Sequence, residues 1–183
     1  MSLRIEGYVI VSADGMLADA THVMPHSLKF DGDKLFFEQA LDGAALIVHG
    51  RNSHEQQPNS PQRKRLILTR KIKALTVDPE MPNATLWNPD HARFEEACAF
   101  ADVTSGMVAI IGGPVVFDMF MDRYDTFWLS VAPNVQLPGG EPCFPGVGPR
   151  TPQQVLGLHG LKPGEAERLD PADGVSVTPW RRS

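Results

Sequence analysis

Residues 108–118, VAIIGGPVVFD, run from four apolar residues into two adjacent glycines, a proline and a second apolar run. A short aliphatic run reads as a buried strand. Pro114 suits the first position of a helix, where its missing N–H is an orphan in any case. Gly112 and Gly113 therefore stand at a strand-to-helix turn. Two explanations of the pair compete. One is a tight turn and nothing more. The other is a backbone that a ligand approaches closely, with amides at the helix start and the helix dipole behind them facing an anion.

Outward from this stretch, apolar runs alternate with amphipathic ones, the pattern of an α/β layer structure. Strands are expected at IEGYVIV (5–11), ALIVHG (45–50), LILT (66–69), TLW (85–87), VAII (108–111) and TFWLSV (126–131). Helices are expected over 33–41, 91–102 and 114–122. In the second of these Phe94, Ala97, Cys98 and Ala101 recur at i, i+3, i+4 and i+7. Residues 133–152 are crowded with proline and glycine and read as a long turn-rich loop. Two further strands are expected near 155–161 and 174–180, the last after the turn Ala172-Asp173-Gly174. Antiparallel strands appended to a βαβ core make a mixed sheet, and the whole chain reads as one domain.

The totals narrow the function. A chain of 183 residues is long enough to bury a core, and its net charge of −5 makes it a poor wrapper of nucleic acid. No apolar run approaches bilayer-spanning length, and the first residues do not follow a signal-peptide pattern. Cys98 and Cys143 are too few for a disulfide framework. The six histidines lack zinc-ligand spacing, so no metal is expected. A cytoplasmic protein is expected, with a small-molecule partner and neither nucleic acid nor membrane.

Besides the glycine pair, three stretches can carry chemistry. Gly50-Arg51-Asn52-Ser53 follows a strand and is expected to open a helix, where free N–H groups, Arg51 and the Ser53 hydroxyl suit a phosphate. An exposed arginine beside a helix cap explains the same residues. RKRLILTRKIK (63–73) holds six basic residues and no acid. It reads as a receiver for a compact anion, or as an edge strand protected by its charges. Asp33 stands near Phe36 and Phe37. A carboxyl walled by apolar rings has its pKa raised and can donate a proton near neutral pH. An acid complementing the helix dipole is the plainer reading, and Asp31 is a rival in either role.

The order VIVSADGMLA, ALIVHGRNSHE, RLILTR, VAIIGGPVVFDMF, TFWLSVAP resembles the dihydrofolate reductase-like fold. The likeness is greatest to the C-terminal reductase domain of the riboflavin-biosynthesis deaminase–reductase and its stand-alone homologues. The resemblance spans Ile5 to about Trp180. It implies a three-layer α/β/α arrangement with a mixed, mostly parallel sheet and antiparallel C-terminal strands. It also implies NADPH bound at the carboxyl ends of the strands. Gly50, Arg51, Asn52 and Ser53 then match the start of the cofactor helix, with Ser53 in place of the usual threonine. Thr69 and Arg70 match the positions that receive the adenosine 2′-phosphate. Gly112 and Gly113, with Pro114 and Val115 after them, match the turn at the pyrophosphate, where the glycine–glycine bond is often cis. Ala13 and Asp14 match the loop over the nicotinamide. Asp33 falls near the substrate-binding acid, and Phe37 near the ring that stacks on substrate. HVMPHSLKF (22–30) carries no pterin-site pattern. The expectation is a homodimeric NADPH-dependent reductase acting on a C=N or C=O of a small heterocycle or ribosylaminopyrimidine. The alternative is an NADP(H)-binding sensor without turnover.

Overall fold

The computed structural model describes residues 2–53 and 57–183. The chain runs β1 (Leu3–Ser12), β2 (Met16–Ala18), α1 (Asp31–Asp42), β3 (Leu46–Gly50), β4 (Arg65–Leu68), β5 (Leu75–Val77) and β6 (Ala84–Trp87). It continues through α2 (Phe94–Phe100), β7 (Gly106–Ile110), α3 (Pro114–Met119), β8 (Thr126–Ala132) and β9 (Glu141–Pro142). The last elements are α4 (Pro152–Leu158), β10 (Leu161–Pro163), β11 (Glu167–Asp170) and β12 (Val175–Arg182).

One sheet organises the molecule, in the order β10-β12-β8-β1-β7-β3-β4-β6-β5, with β11 paired to β12. The six strands from β8 to β6 are mutually parallel. At the two margins β5, β12 and β10 run antiparallel to their neighbours. The sheet is mixed and mostly parallel, as the alternation of runs predicts.

Burial on both faces explains why the central strands read as unbroken apolar runs rather than alternating ones. In β3, Leu46 and Val48 face a core completed by Phe94, Ala97 and Cys98 of α2, Val116 and Phe117 of α3, and Val155 and Leu156 of α4. Ile47, between them, faces Leu41 and the half-buried Phe36 and Phe37 of α1. The result is three layers, with α1 alone on one side of the centre.

Three departures from the expected elements have local causes. The helix expected over 91–102 spans only 94–100. The Asn88 carbonyl takes the Ala92 N–H and its side chain the Asp90 N–H, so 88–92 close a turn first. The Glu96 carboxylate then receives the Arg93 N–H at 2.9 Å and sets the helix start. The strand expected over 155–161 is a helix, α4, followed by β10. Thr151 caps α4 by accepting the Gln154 N–H at 3.1 Å, the Gln154 side chain accepts the Thr151 N–H in return, and Pro152 sits at the first turn. Third, α3 has six residues rather than nine, because the Met121 N–H turns to the Asp118 carbonyl and closes the helix at Phe120.

Candidate functional site

Because β1, β3, β4, β6, β7 and β8 are parallel, the loops that follow them leave from one edge of the sheet. That edge is where ligands bind in open α/β sheets. Ser12-Ala13-Asp14, Gly50–Ser53, Thr69-Arg70 and Gly112–Val115 all lie along it. The first turn of α1 joins them, since α1 runs back toward the start of β3.

The two glycine turns touch. The Gly50 N–H donates to the Gly112 carbonyl at 2.9 Å. A Cβ on Gly113 would fall 3.1 Å from the Ser53 hydroxyl oxygen. The Gly112–Gly113 peptide bond is cis. Gly112 has φ +111°, and a Cβ there would lie 2.9 Å from the Phe117 ring, so both conformation and space require glycine. Pro114 opens α3, and Val115 beside it is 65% exposed. Residues 51 and 52 form a turn after β3, not the first residues of a helix, and residues 54–56, into which an opened helix would run, lie outside the described residues.

The basic run is divided by the strand it surrounds. Arg51 donates to the Thr69 hydroxyl at 3.1 Å, and the same hydroxyl accepts the Lys71 N–H at 3.2 Å. Arg70 is exposed and pairs with Asp90 at 2.9 Å. With Lys73, Asn88 and His91 it lines an open hollow of about 430 Å³ at the ends of β4 and β6. At the opposite end of β4, Arg63 pairs with Asp42 at 2.6 Å and Lys64 donates to the Ala101 and Asp102 carbonyls. Arg65 is 1% exposed, inside the fold. Of the six bases read as one cationic patch, only Arg70, Lys71 and Lys73 are at the ligand edge.

Asp14 is turned into its own loop. Its carboxylate accepts the Ser12 hydroxyl at 2.5 Å and the Leu137 N–H at 3.0 Å. Desolvation acts to raise its pKa, but these hydrogen bonds outweigh it and hold the carboxyl below its ordinary value. Ala13 is exposed, and its N–H donates to the Val135 carbonyl at 2.7 Å. The loop after β1 is thereby fastened to the proline-rich segment, and the short β2–β9 ladder fastens it again.

Asp33 is placed by a close contact. A Cβ on Gly32 would sit 1.9 Å from the Leu169 carbonyl oxygen, so only glycine lets the start of α1 press against β11. This holds Asp33 half-buried, with Ser130 of β8 beside it. Burial pushes the Asp33 carboxyl up to about 6, against the smaller, opposing effect of the Ser130 hydroxyl. Asp31, the rival acid, is exposed. Phe37 lies one turn along the same helix face. It is half-buried, with its ring centroid 6.4 Å from that of Tyr8. Ser130 was missed in the sequence reading. The signal was present, since alternation in TFWLSVA puts Thr126, Trp128 and Ser130 on one face of β8. Among the described residues no cluster of three or more His, Cys, Asp or Glu is placed to hold a metal ion. None of their helices is long and apolar enough to cross a membrane.

No protein-family model matches the chain, and no curated protein matches it by sequence. Solved structures do match. Dihydrofolate reductase from Enterococcus faecalis, complexed with NADP(H), is similar over 98% of this chain and 96% of its own, at 17% identity and a TM-score of 0.66. A pyrimidine reductase-like protein from Corynebacterium diphtheriae is similar over 97% of this chain and 91% of its own, at 13% identity and 0.64. A diaminohydroxyphosphoribosylaminopyrimidine deaminase/5-amino-6-(5-phosphoribosylamino)uracil reductase from Thermotoga maritima covers all of this chain with 57% of its own, at 14% identity and 0.68. With the parallel core, the antiparallel margin and the glycine turns in place, the chain has the dihydrofolate reductase-like fold.

Proposed function

We propose that the protein is an NADPH-dependent reductase that delivers hydride to a C=N or C=O of a small heterocycle or ribosylaminopyrimidine. A compound like 5-amino-6-(5-phosphoribosylamino)uracil is the leading substrate class. The observation that carries this reading is the shared edge, where two glycine turns in mutual hydrogen-bond contact and an acid with a pKa of about 6 lie on adjoining elements. A structural neighbour that holds NADP(H) has the same fold, which supports the cofactor.

The residues present suit the cofactor. Gly112 and Gly113 pack their backbone against Phe117 and Ser53, where a side chain would crowd. Their backbone, with the Ser53 hydroxyl, would hold the pyrophosphate. Arg51, Thr69 and Arg70 would hold the 2′-phosphate, beside the hollow lined by Ile72, Lys73 and Asn88. NADPH supplies the hydride when bound.

The chain's own part is to supply a proton and exclude water. With a pKa of about 6, Asp33 keeps a protonated fraction of about a tenth at pH 7. An ordinary aspartate would keep about a thousandth. The burial that raises this pKa also strengthens any hydrogen bond the carboxyl makes to substrate. The Ser130 hydroxyl acts against the shift without cancelling it. Substrate and cofactor held at near-attack distance supply the larger share of the acceleration. The test is consumption of NADPH with a panel of pyrimidines, pterins and flavins, read alongside cofactor binding by fluorescence. Turnover on a member of the panel supports a reductase. Tight binding without turnover, unaffected by Asp33→Asn, points to a sensor.

A further inference from the structure

The last residues of β3 contain a buried imidazole that the reading above does not use. His49 is 1% exposed and lies on the α1 side of the sheet, opposite in face to Val48. On β4 it is level with Ile67, which puts the equally buried Arg65 diagonally beside it on the same face. An Arg65 guanidinium nitrogen lies 3.2 Å from His49 Nε2. On the other side, His49 Nδ1 lies 2.7 Å from the Gly50 carbonyl oxygen.

The partners fix the protons. A guanidinium only donates and a carbonyl only accepts. Nε2 must therefore be bare and Nδ1 must carry the hydrogen. A neutral ring in one tautomer satisfies both neighbours. The Gly50 carbonyl also takes the Ser53 N–H at 3.3 Å, while the Gly50 N–H reaches the Gly112 carbonyl. A trans peptide is planar, so holding the Gly50 carbonyl toward His49 turns the Arg51 N–H the opposite way. Arg65 is itself tied to the Ser60 carbonyl at 3.2 Å and to the Ser60 hydroxyl. One guanidinium thus joins the start and the far end of the segment between β3 and β4.

We propose that His49, oriented by Arg65, is a positioning residue: its Nδ1–H fixes the Gly50–Arg51 peptide plane and so presents both glycine turns to the dinucleotide. The dinucleotide part rests on the NADPH reading; the tautomer and the peptide geometry do not.

The test uses the full chain. In the ligand-free protein, nitrogen NMR of His49 should show a neutral ring protonated at Nδ1. A ring protonated at Nε2, or at both nitrogens, overturns the proposal. Titration with NADPH then separates positioning from space-filling. His49→Asn keeps an amide N–H near the place of Nδ1, whereas His49→Gln puts its amide near Nε2 and His49→Leu has none. The Kd for NADPH should rise by less than about threefold in His49→Asn and by about tenfold in the other two, the range for losing one buried hydrogen bond. A role in packing alone predicts the reverse order, with the larger Gln and Leu closest to wild type, and that order overturns the proposal. If no variant folds, the wild-type tautomer decides. If the wild type shows the Nδ1–H ring but does not bind NADPH, the cofactor reading fails and the peptide-positioning reading stands.

Discussion

At the ends of β3, β4 and β7 the candidate site is built of backbone, whereas at α1 it consists of one carboxyl group and the surface it is pressed against. The first region is held by hydrogen bonds between main-chain groups, such as that from Gly50 to Gly112. The second depends on Gly32 meeting Leu169 and on a hydroxyl from β8. A backbone site discriminates by shape and by the charges at its rim. A desolvated acid discriminates by protonation. Substitutions should therefore separate the two regions cleanly, one governing binding and the other turnover.

The largest separation is expected from Asp33→Asn. Loss of a positioned general acid lowers turnover by roughly 10²–10⁴-fold, while the Kd for NADPH stays within about twofold. In the wild type, kcat/KM should fall as pH rises through about 6, where Asp33 loses its proton. A comparable loss of NADPH affinity in the variant would merge the two regions into one.

Gly112→Ala tests the other side. A Cβ 2.9 Å from the Phe117 ring, at φ +111°, strains the turn, at a cost of about 1–3 kcal/mol. Urea denaturation should show that loss, and fluorescence titration a rise of about tenfold or more in the Kd for NADPH, the penalty for a displaced backbone donor set.

A smaller and more selective effect is expected from the rim. Arg51→Ala should raise the Kd for NADPH by about tenfold and that for NADH by less than about twofold, as for loss of one charge-assisted contact. Arg70→Ala should act in the same direction but less, because Asp90 already pairs with that guanidinium. Equal effects on the two cofactors would remove the 2′-phosphate assignment. Lys64→Ala, at the far end of β4, should leave both constants unchanged.

Asp33 also carries a stability signature. Its folded pKa of about 6 lies above the unfolded value of about 3.9. Below about pH 4 both states hold the proton and the site costs nothing. As pH rises from there through about 6, the folded state is progressively penalised. The penalty is up to about 3 kcal/mol for a shift of this size, and less here because Asp33 still meets solvent. Asp33→Asn should thus raise Tm above about pH 7 and leave it unchanged below about pH 4. A variant that melts lower at neutral pH would contradict the buried-acid description.

The same contrast explains what could be read in the sequence. The glycine turns were legible because their requirement is local. VAIIGGPVVFD and VHGRNS each place glycine where a strand ends, which marks the turns but not the contact between them. The mixed, mostly parallel character of the sheet followed from the run of apolar segments, whereas its strand order appears only in the fold. The Asp33 environment was only half legible, since Phe36 and Phe37 lie close in sequence but Ser130 and Leu169 come from strands that the fold alone brings alongside. The basic run misled for a related reason. Composition sums charges along a strand, while the strand sends Arg63 and Lys64 to one end, Arg65 to the interior and Arg70 to the other end. The helix at 152–158 was signalled by Thr151-Pro152-Gln153-Gln154, a capping box that the surrounding prolines and glycines obscured.

The most direct test of the account is a paired fluorescence titration of the wild-type chain with NADPH and NADH. Saturable binding of both is expected, with NADPH at least about tenfold tighter, as one or two charge-assisted phosphate contacts require, and with that preference lost in Arg51→Ala. Absence of binding by either cofactor would contradict it.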